Sequence, residues 1–371
     1  MKILLLEPFF TGSHQQWAEG LQKYSRHQIE ILSLPGRHWK WRMHGGAVTL
    51  AQVFNKKYKT EKFDLLLVSD MIDLSSFLSL TRRRTSTIPT AIYFHENQLT
   101  YPWSPTDRDP KAGRDHHYAF INYTSALSAD AIFFNSVYHQ KSWLEELPKF
   151  LNQFPDFKNL ETVKTIENKS QVLHLGMCLK RFDALEKVER ENVATLLWNH
   201  RWEYDKNPKL FFTTLFRLKK AGVPFRLLVV GESYQKCPPI FSEAKEILKE
   251  EIIHFGYAAD WASYGRMLWQ ADILPVSSHQ DFFGGSVIEA MYCKSFPILP
   301  NRLAYPEHIP PASHTSNLYS TPEEFFQKIK NAINNIERIR SANHFQNFVA
   351  QYDWSNLIAK YDNALDKVCQ T

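Results

Sequence analysis

Short apolar runs punctuate the chain at regular intervals. The first series is KILLLEPFF, HQIEILSL, FDLLLVSD, PTAIYFHEN, ADAIFFNS and QVLHLGM; the second is VATLLWNHR, FRLLVVGE, EIIHFGYA, ADILPVSS and SFPILP. Such nearly continuous apolar segments predict strands of parallel sheets covered by helices on both faces. The intervening stretches carry helical signals. NPKLFFTTLFRLKKAG closes on paired lysines and a glycine, as a helix C-terminus should. STPEEFFQKIKNAI opens with Thr321, Pro322 and Glu324, a capping box with proline in the first turn. YDWSNLIAKYDNALDKV reads as a last amphipathic helix. The alternation means α/β, and its repetition means two doubly wound domains. The expected divisions are 1–180, 181–345 and a closing segment 346–371. Two such sheets facing one another make a central cleft, and ligands bind beyond the carboxyl ends of the strands, so the motifs to examine are those that follow strands.

The stretch HQDFFGGSVIEA sets Asp281 and Glu289 around a double glycine, between a predicted strand and a predicted helix. Gly284, Gly285 and Ser286 then form a helix N-terminus, whose unpaired N–H groups and positive dipole end favour an anion. Glu289 can accept from the vicinal hydroxyls of a sugar, and Asp281 can face another part of the same ligand. The plain alternative is a tight turn with two solvated acids. A second stretch, LLWNHRWEYDKNP, places Arg201 and Lys206 after a strand. Two cations on one loop can neutralise a pyrophosphate from different sides and stabilise it as it leaves. A third, TAIYFHENQLTYPW, ends a strand in His95, Glu96 and Asn97. His95 is positioned to bond a transferring sugar, and Glu96 and Asn97 to meet acceptor hydroxyls. EPFFTGSHQQW adds Gly12, Ser13 and His14 after the first strand, another turn able to meet a diphosphate, with the His14 side chain assigned to the acceptor hydroxyls.

Composition narrows the classes. Of 371 residues, 44% are apolar and 14% aromatic, enough to pack two cores, and no apolar run is long enough to span a bilayer. The N-terminus does not read as a signal peptide. Four scattered cysteines form no CxxC pair, which fits a reducing cytoplasm and argues against a zinc site. Residues 1–180 carry 22 Lys and Arg against 17 Asp and Glu; residues 181–371 carry 22 against 22. The whole net charge of +5 therefore lies in the first half, the better face for an anionic macromolecule. There, GRHWKWRMHGG alternates Arg37, Lys40 and Arg42 with Trp39 and Trp41, offering charges for phosphates and rings for unpaired bases. The same tryptophans can equally pack beneath a loop. The DRD at 107–109 imitates a metal motif but falls in a proline-rich loop, and it is read as accidental.

Together these motifs resemble the large retaining family of GT-B glycosyltransferases, built from two Rossmann-like domains. The family's acid-x7-acid motif corresponds to Asp281 and Glu289, with aspartate where glutamate is usual, and its phosphate-binding pair to Arg201 and Lys206. A narrower resemblance runs through FTGSHQQWAEGL, YFHENQLTYP, DFFGGSVIEAMYCKSFPILPNRLAYPE and YDWSNL, to the glycosyltransferase-like family typified by the animal tRNA-queuosine α-mannosyltransferases. It implies transfer of mannose from GDP-mannose to queuosine in tRNA-Asp, with retention and without a metal or other cofactor. It further implies that the C-terminal helix returns to the first domain. Acceptors of another kind, lipid or glycan, and a non-catalytic RNA-binding protein of this fold are the alternatives.

Overall fold

The computed structural model describes residues 1–105, 107–109, 116–186, 188–232, 237–342 and 345–370. The chain forms two units. One comprises Met1–Cys178 and the segment from Trp354 onward; the other comprises Leu179–Asp353. The return to the first unit thus begins at Trp354 rather than at 346. Residues 346–353 stay with the second unit because Val349 and Tyr352 are buried there, with the Tyr352 ring edge-on to Phe283.

The first unit holds a six-stranded parallel sheet: β1 (Lys2–Phe10), β2 (Gln28–Pro35), β3 (Leu65–Ser69), β4 (Thr90–Phe94), β5 (Ala131–Phe134) and β6 (Ser170–Val172). The spatial order is β2-β1-β3-β4-β5-β6. Consecutive connections therefore reverse between β1 and β3, and β3 and β4 are buried along their whole length, which is why their sequences run unbroken in Leu, Val, Ile and aromatics. The helix Trp354–Val368 packs into this unit. Trp354 occupies a slot cleared by two glycines, since a Cβ on Gly20 or Gly176 would fall 2.0 or 2.6 Å from its indole. Tyr361 Oη accepts from Trp17 Nε1 at 3.1 Å and donates to the His174 carbonyl at 2.8 Å. Trp17 in turn stacks on Tyr93 and meets His95 edge-on. The last helix therefore braces the layer beneath the end of β4.

The second unit holds β7 (Thr195–Trp198), β8 (Arg226–Val230), β9 (Ile252–Gly256), β10 (Ile273–Pro275), β11 (Phe296–Pro300) and β12 (Leu318–Tyr319), again parallel, in the order β12-β11-β10-β7-β8-β9. Its switch point lies between β7 and β10, the adjacent strands from which the connections run in opposite directions. The pair β11–β12 is only two residues long, too short to leave a periodic signal, and β12 has no counterpart among the expected strands. The helix Pro208–Lys220 forms where its signals place it, with the Asn207 side chain accepting from Leu210 N. The Thr321 hydroxyl caps the helix Pro322–Asn334 by accepting from Glu324 N. Among the described residues no helix is long and apolar enough to cross a membrane.

Candidate active site

The switch point of the second unit gathers the acids and cations singled out in the sequence. After β10 the chain runs through Asp281 to Gly284, which adopts φ +85 and starts the helix Gly285–Tyr292. That left-handed turn favours glycine, and a Cβ there would also press to 3.2 Å from the Tyr305 ring. Gly285 and Ser286 form the first helical turn, whose N–H groups lack intrahelical acceptors. Glu289, one turn on, is held by two donors: Arg181 Nη2 at 2.8 Å on one oxygen and Tyr264 Oη at 2.9 Å on the other. Burial raises its carboxyl above the ordinary range, with Arg181 and Tyr264 opposing.

The two cations adopt different roles. Arg201 is 46% exposed in its side chain, 3.6 Å from Glu203 and 4.0 Å from Asp205. Lys206 is buried, 6% exposed. Its ammonium donates to the Gln280 carbonyl at 2.7 Å and to Asp281 Oδ1 at 2.9 Å, and lies 3.2 Å from Asp205. The expected pair of loop cations is thus one outward guanidinium and one ammonium tied to the acid loop. Asp205 brings them together, with the same oxygen facing both. Burial opposes the charge of Asp281, but Lys206, with His200 and the Tyr305 hydroxyl, holds its carboxyl below the ordinary range.

Several residues here were not identified from sequence. Asn199 and His200 follow β7 and reach the start of the glycine-led helix: Asn199 Nδ2 donates to the Ser286 carbonyl at 2.7 Å, and His200 Nδ1 lies 3.2 Å from Ser286 Oγ. Burial lowers His200 to about 4, so its imidazole is neutral at physiological pH. Asn199 Oδ1 and His200 Nε2 are buried without a partner among the described residues, leaving two polar atoms unsatisfied beside an anion-favouring helix end. Their position directly after a strand was the available signal. Arg181, Tyr264 and Tyr305 come from distant segments and carried none.

The first unit has its own cluster at its switch point. Gly12 takes φ +52 and opens the helix Gly12–Tyr24, whose first turn contains no acid and whose N-cap Thr11 makes no side-chain cap bond. Ser13 and His14 follow in that turn. His14 Nδ1 lies 3.2 Å from Glu7 Oε2, and the His14 ring stacks 4.1 Å from that of His95. Asp70, after β3, accepts from His95 N at 2.8 Å, and burial raises its carboxyl to about 8. His95 is kept neutral by burial and by His14 and His139, and its Nε2 is buried without a partner among the described residues.

Three assignments made from sequence need correction. Asn97 does not present its side chain to a ligand: it is fully buried, and Oδ1 caps the turn by accepting from Leu99 N and Thr100 N. Lys40 is not an outward cation. Its ammonium is paired with Asp107 and Asp109 amid the rings of Trp39, Trp103 and Tyr118. The acids of the DRD sequence clamp Lys40, and Trp39 packs inward because a helix starts at that residue. Trp41 remains 62% exposed, with its ring lying on Gly45, where a Cβ would come within 2.5 Å. Arg42 Nε donates to the Pro35 carbonyl at 3.2 Å, Arg37 is exposed, and Glu96 is half-buried, accepting from Gln98.

Comparison with known proteins places the chain among its relatives. Residues 2–177 match the family described as tRNA-queuosine alpha-mannosyltransferase N-terminal, and residues 181–347 match glycosyl transferases group 1. The chain is 34% identical over 377 residues to the tRNA-queuosine alpha-mannosyltransferase of Drosophila melanogaster, covering 98% of this chain and 96% of that protein. Among solved structures, sucrose-phosphate synthase from Thermosynechococcus elongatus superposes with a TM-score of 0.72 at 13% identity, over 99% of each chain. A glycosyltransferase from Rickettsia africae gives 0.68 at 17% identity, over 100% of this chain and 99% of the other. At such identities the likeness is one of fold, and the fold is the GT-B type expected from sequence.

Proposed function

The chain belongs to the tRNA-queuosine alpha-mannosyltransferase family of glycosyltransferases, and from that premise we propose that it transfers mannose from GDP-mannose to queuosine in the anticodon of tRNA-Asp, in the cytoplasm. What carries the reading is the near full-length similarity to a queuosine mannosyltransferase, which spans both units rather than the widespread nucleotide-sugar half alone.

In this reading the diphosphate of the donor meets the first turn at Gly284, Gly285 and Ser286, with Glu289 accepting from ribose hydroxyls and Asp281 from the sugar. Gly12 and Ser13 contribute N–H groups of the first unit to the diphosphate. Arg201 supplies an outward guanidinium for the charge that grows on the leaving group. Lys206 adds its charge from below while fixing Asp281. Interactions that strengthen as the bond to the leaving oxygen breaks lower the barrier, whereas those equal in ground and transition states do not. His95 bonds the transferring sugar through its buried, neutral imidazole. Retention follows a front-face course, in which the departing diphosphate oxygen takes the acceptor proton. Transfer needs no divalent cation, because guanidinium and ammonium do the neutralising. On the acceptor side, Arg37, Trp41 and Arg42 face the RNA, and Glu96 the cyclopentenediol.

The test is transfer of label from radioactive GDP-mannose to tRNA from queuosine-replete and queuosine-starved cells, in the presence of EDTA. Label is expected only in replete tRNA and is lost on Glu289→Ala. Equal labelling of both tRNAs refutes queuosine as acceptor, and activity abolished by EDTA and restored by a metal refutes metal-free transfer.

A further inference from the structure

The switch point of the first unit contains a carboxylate that the transfer chemistry leaves without a task. Glu7 is fully buried on β1. One oxygen accepts from Phe9 N at 2.9 Å, and the other lies 3.2 Å from His14 Nδ1. With Nδ1 directed into Glu7, the nitrogen left to His14 for a ligand is Nε2, in the first turn of a 13-residue helix, a turn that has no acid of its own. The histidine beneath is of the opposite kind: His95 lies tilted against His14 but is anchored through its backbone to Asp70 and Asn135, and its Nε2 has no partner among the described residues.

We propose that Glu7 is a positioning residue that fixes His14 as a cation whose Nε2–H binds a phosphate oxygen at the Gly12–Ser13 turn. This rests on the assignment of that turn to the donor diphosphate, and it moves His14 from the acceptor hydroxyls to the phosphate.

Two physical points support it. The charged and titratable groups facing His14 are Glu7 on its own side, Asp70 after β3, and His95 and Glu96 after β4. Burial is the largest single influence and works against a charge on His14, but Glu7, Asp70 and Glu96 together outweigh it and raise the imidazole to about 9. His95, lowered by burial and by His14, stays neutral. Neighbouring groups pushed apart in this way take different tasks, one charged and one neutral. A metal shared by Glu7, His14 and His95, whose candidate ligand atoms lie within 4.8 Å of one another, suits the geometry less. Two imidazoles stacked at 4.1 Å with 36° between their planes do not aim their in-plane lone pairs at one point.

The experiment is calorimetric binding of GDP, UDP and inorganic pyrophosphate to wild type, Glu7→Gln, Glu7→Asp and His14→Gln, from pH 5.5 to 9. Each affinity is expressed as a ratio to wild type at the same pH, which cancels titration of the phosphate itself. Glu7→Gln keeps the shape of the side chain but not its charge. At pH 7.5 it is expected to bind every diphosphate about tenfold more weakly, the worth of one charge-assisted hydrogen bond. The deficit should narrow toward pH 5.5, because burial sets the midpoint of the unassisted histidine below its ordinary value of about 6.5. Glu7→Asp should retain a nearly flat ratio, and His14→Gln should stay weak at every pH. A Glu7→Gln ratio near one throughout overturns the proposal and leaves the donor assignment intact. A deficit that does not change with pH also overturns it, since it marks Glu7 as merely structural. If UDP binds with this profile and GDP does not bind at all, the proposal stands and the choice of donor base falls. Wild type that binds none of the three overturns both.

Discussion

Replacing Lys206 by methionine separates the two roles a cation can have in this site. The ammonium stands 2.9 Å from the partly buried Asp281 and 3.2 Å from the buried Asp205, and is itself buried. Methionine retains most of the apolar stem but leaves two carboxylates without their common partner. Asp281 keeps the Tyr305 hydroxyl, and Asp205 keeps Arg201 at 4.0 Å. Breaking a buried pair by removing one partner costs about 3–5 kcal/mol, and the remaining donors favour the lower end. For a unit of this size, about 3 kcal/mol corresponds to a fall in Tm of roughly 6–12 °C. The pH dependence gives the sign. In wild type the Asp281 carboxyl lies below its unfolded value. The stability it contributes is therefore present above the unfolded pKa of about 3.9 and is lost as pH falls through the folded value. Without Lys206, burial drives that pKa upward instead, and protonation relieves the variant in acid. Thermal unfolding followed by circular dichroism from pH 5 to 8 should show the largest gap at pH 7–8, narrowing toward pH 5. A Tm equal to wild type at pH 7.5, together with lost transfer, would refute the reasoning and return Lys206 to the role of a simple phosphate cation.

Three further substitutions examine other parts of the structure. Gly284→Ala forces a side chain into φ +85 and against Tyr305; GDP affinity measured by calorimetry should fall at least tenfold, and unchanged affinity would detach that turn from the diphosphate. Trp41→Ala should weaken tRNA binding in filter assays by about 1–3 kcal/mol, the value of one stacked base, with GDP binding unaltered. Equal tRNA affinity would remove Trp41 from the acceptor surface. Tyr361→Phe leaves the buried Trp17 Nε1 without its acceptor, and should lower stability by about 1–3 kcal/mol, read as a lower denaturation midpoint at constant slope.

What the sequence made legible follows from how each feature is built. Strands such as Leu65–Ser69 and Thr90–Phe94 are covered on both faces, so burial leaves a continuous apolar run. Two series of such runs give two sheets. The site residues that follow strands, Arg201 and Asp281 among them, were accessible because strand ends are where open sheets bind ligands. Arg181 and Tyr264 on Glu289, and Tyr305 on Asp281, were not. Each is a single side chain brought from far along the chain, and only tertiary packing defines its task. The alternation of Arg37 to Arg42 misled for a different reason. Charge and ring at every second position suggest two faces, but a helix begins at Trp39, so residues 39 and 40 turn toward Trp103 and Tyr118 while Trp41 points away.

The returning helix has a consequence for the order of folding during synthesis. The second unit is one uninterrupted stretch, Leu179–Asp353, and is complete once those residues have left the ribosome. The first unit, although translated first, must wait for Trp354 to fill the slot between Gly20 and Gly176 and for Tyr361 to accept from Trp17. Domains commonly fold in the order in which they emerge; here the half made first is finished last. Until then the gap left by Trp354 and the unpaired indole of Trp17 expose a nascent surface for a chaperone to cover.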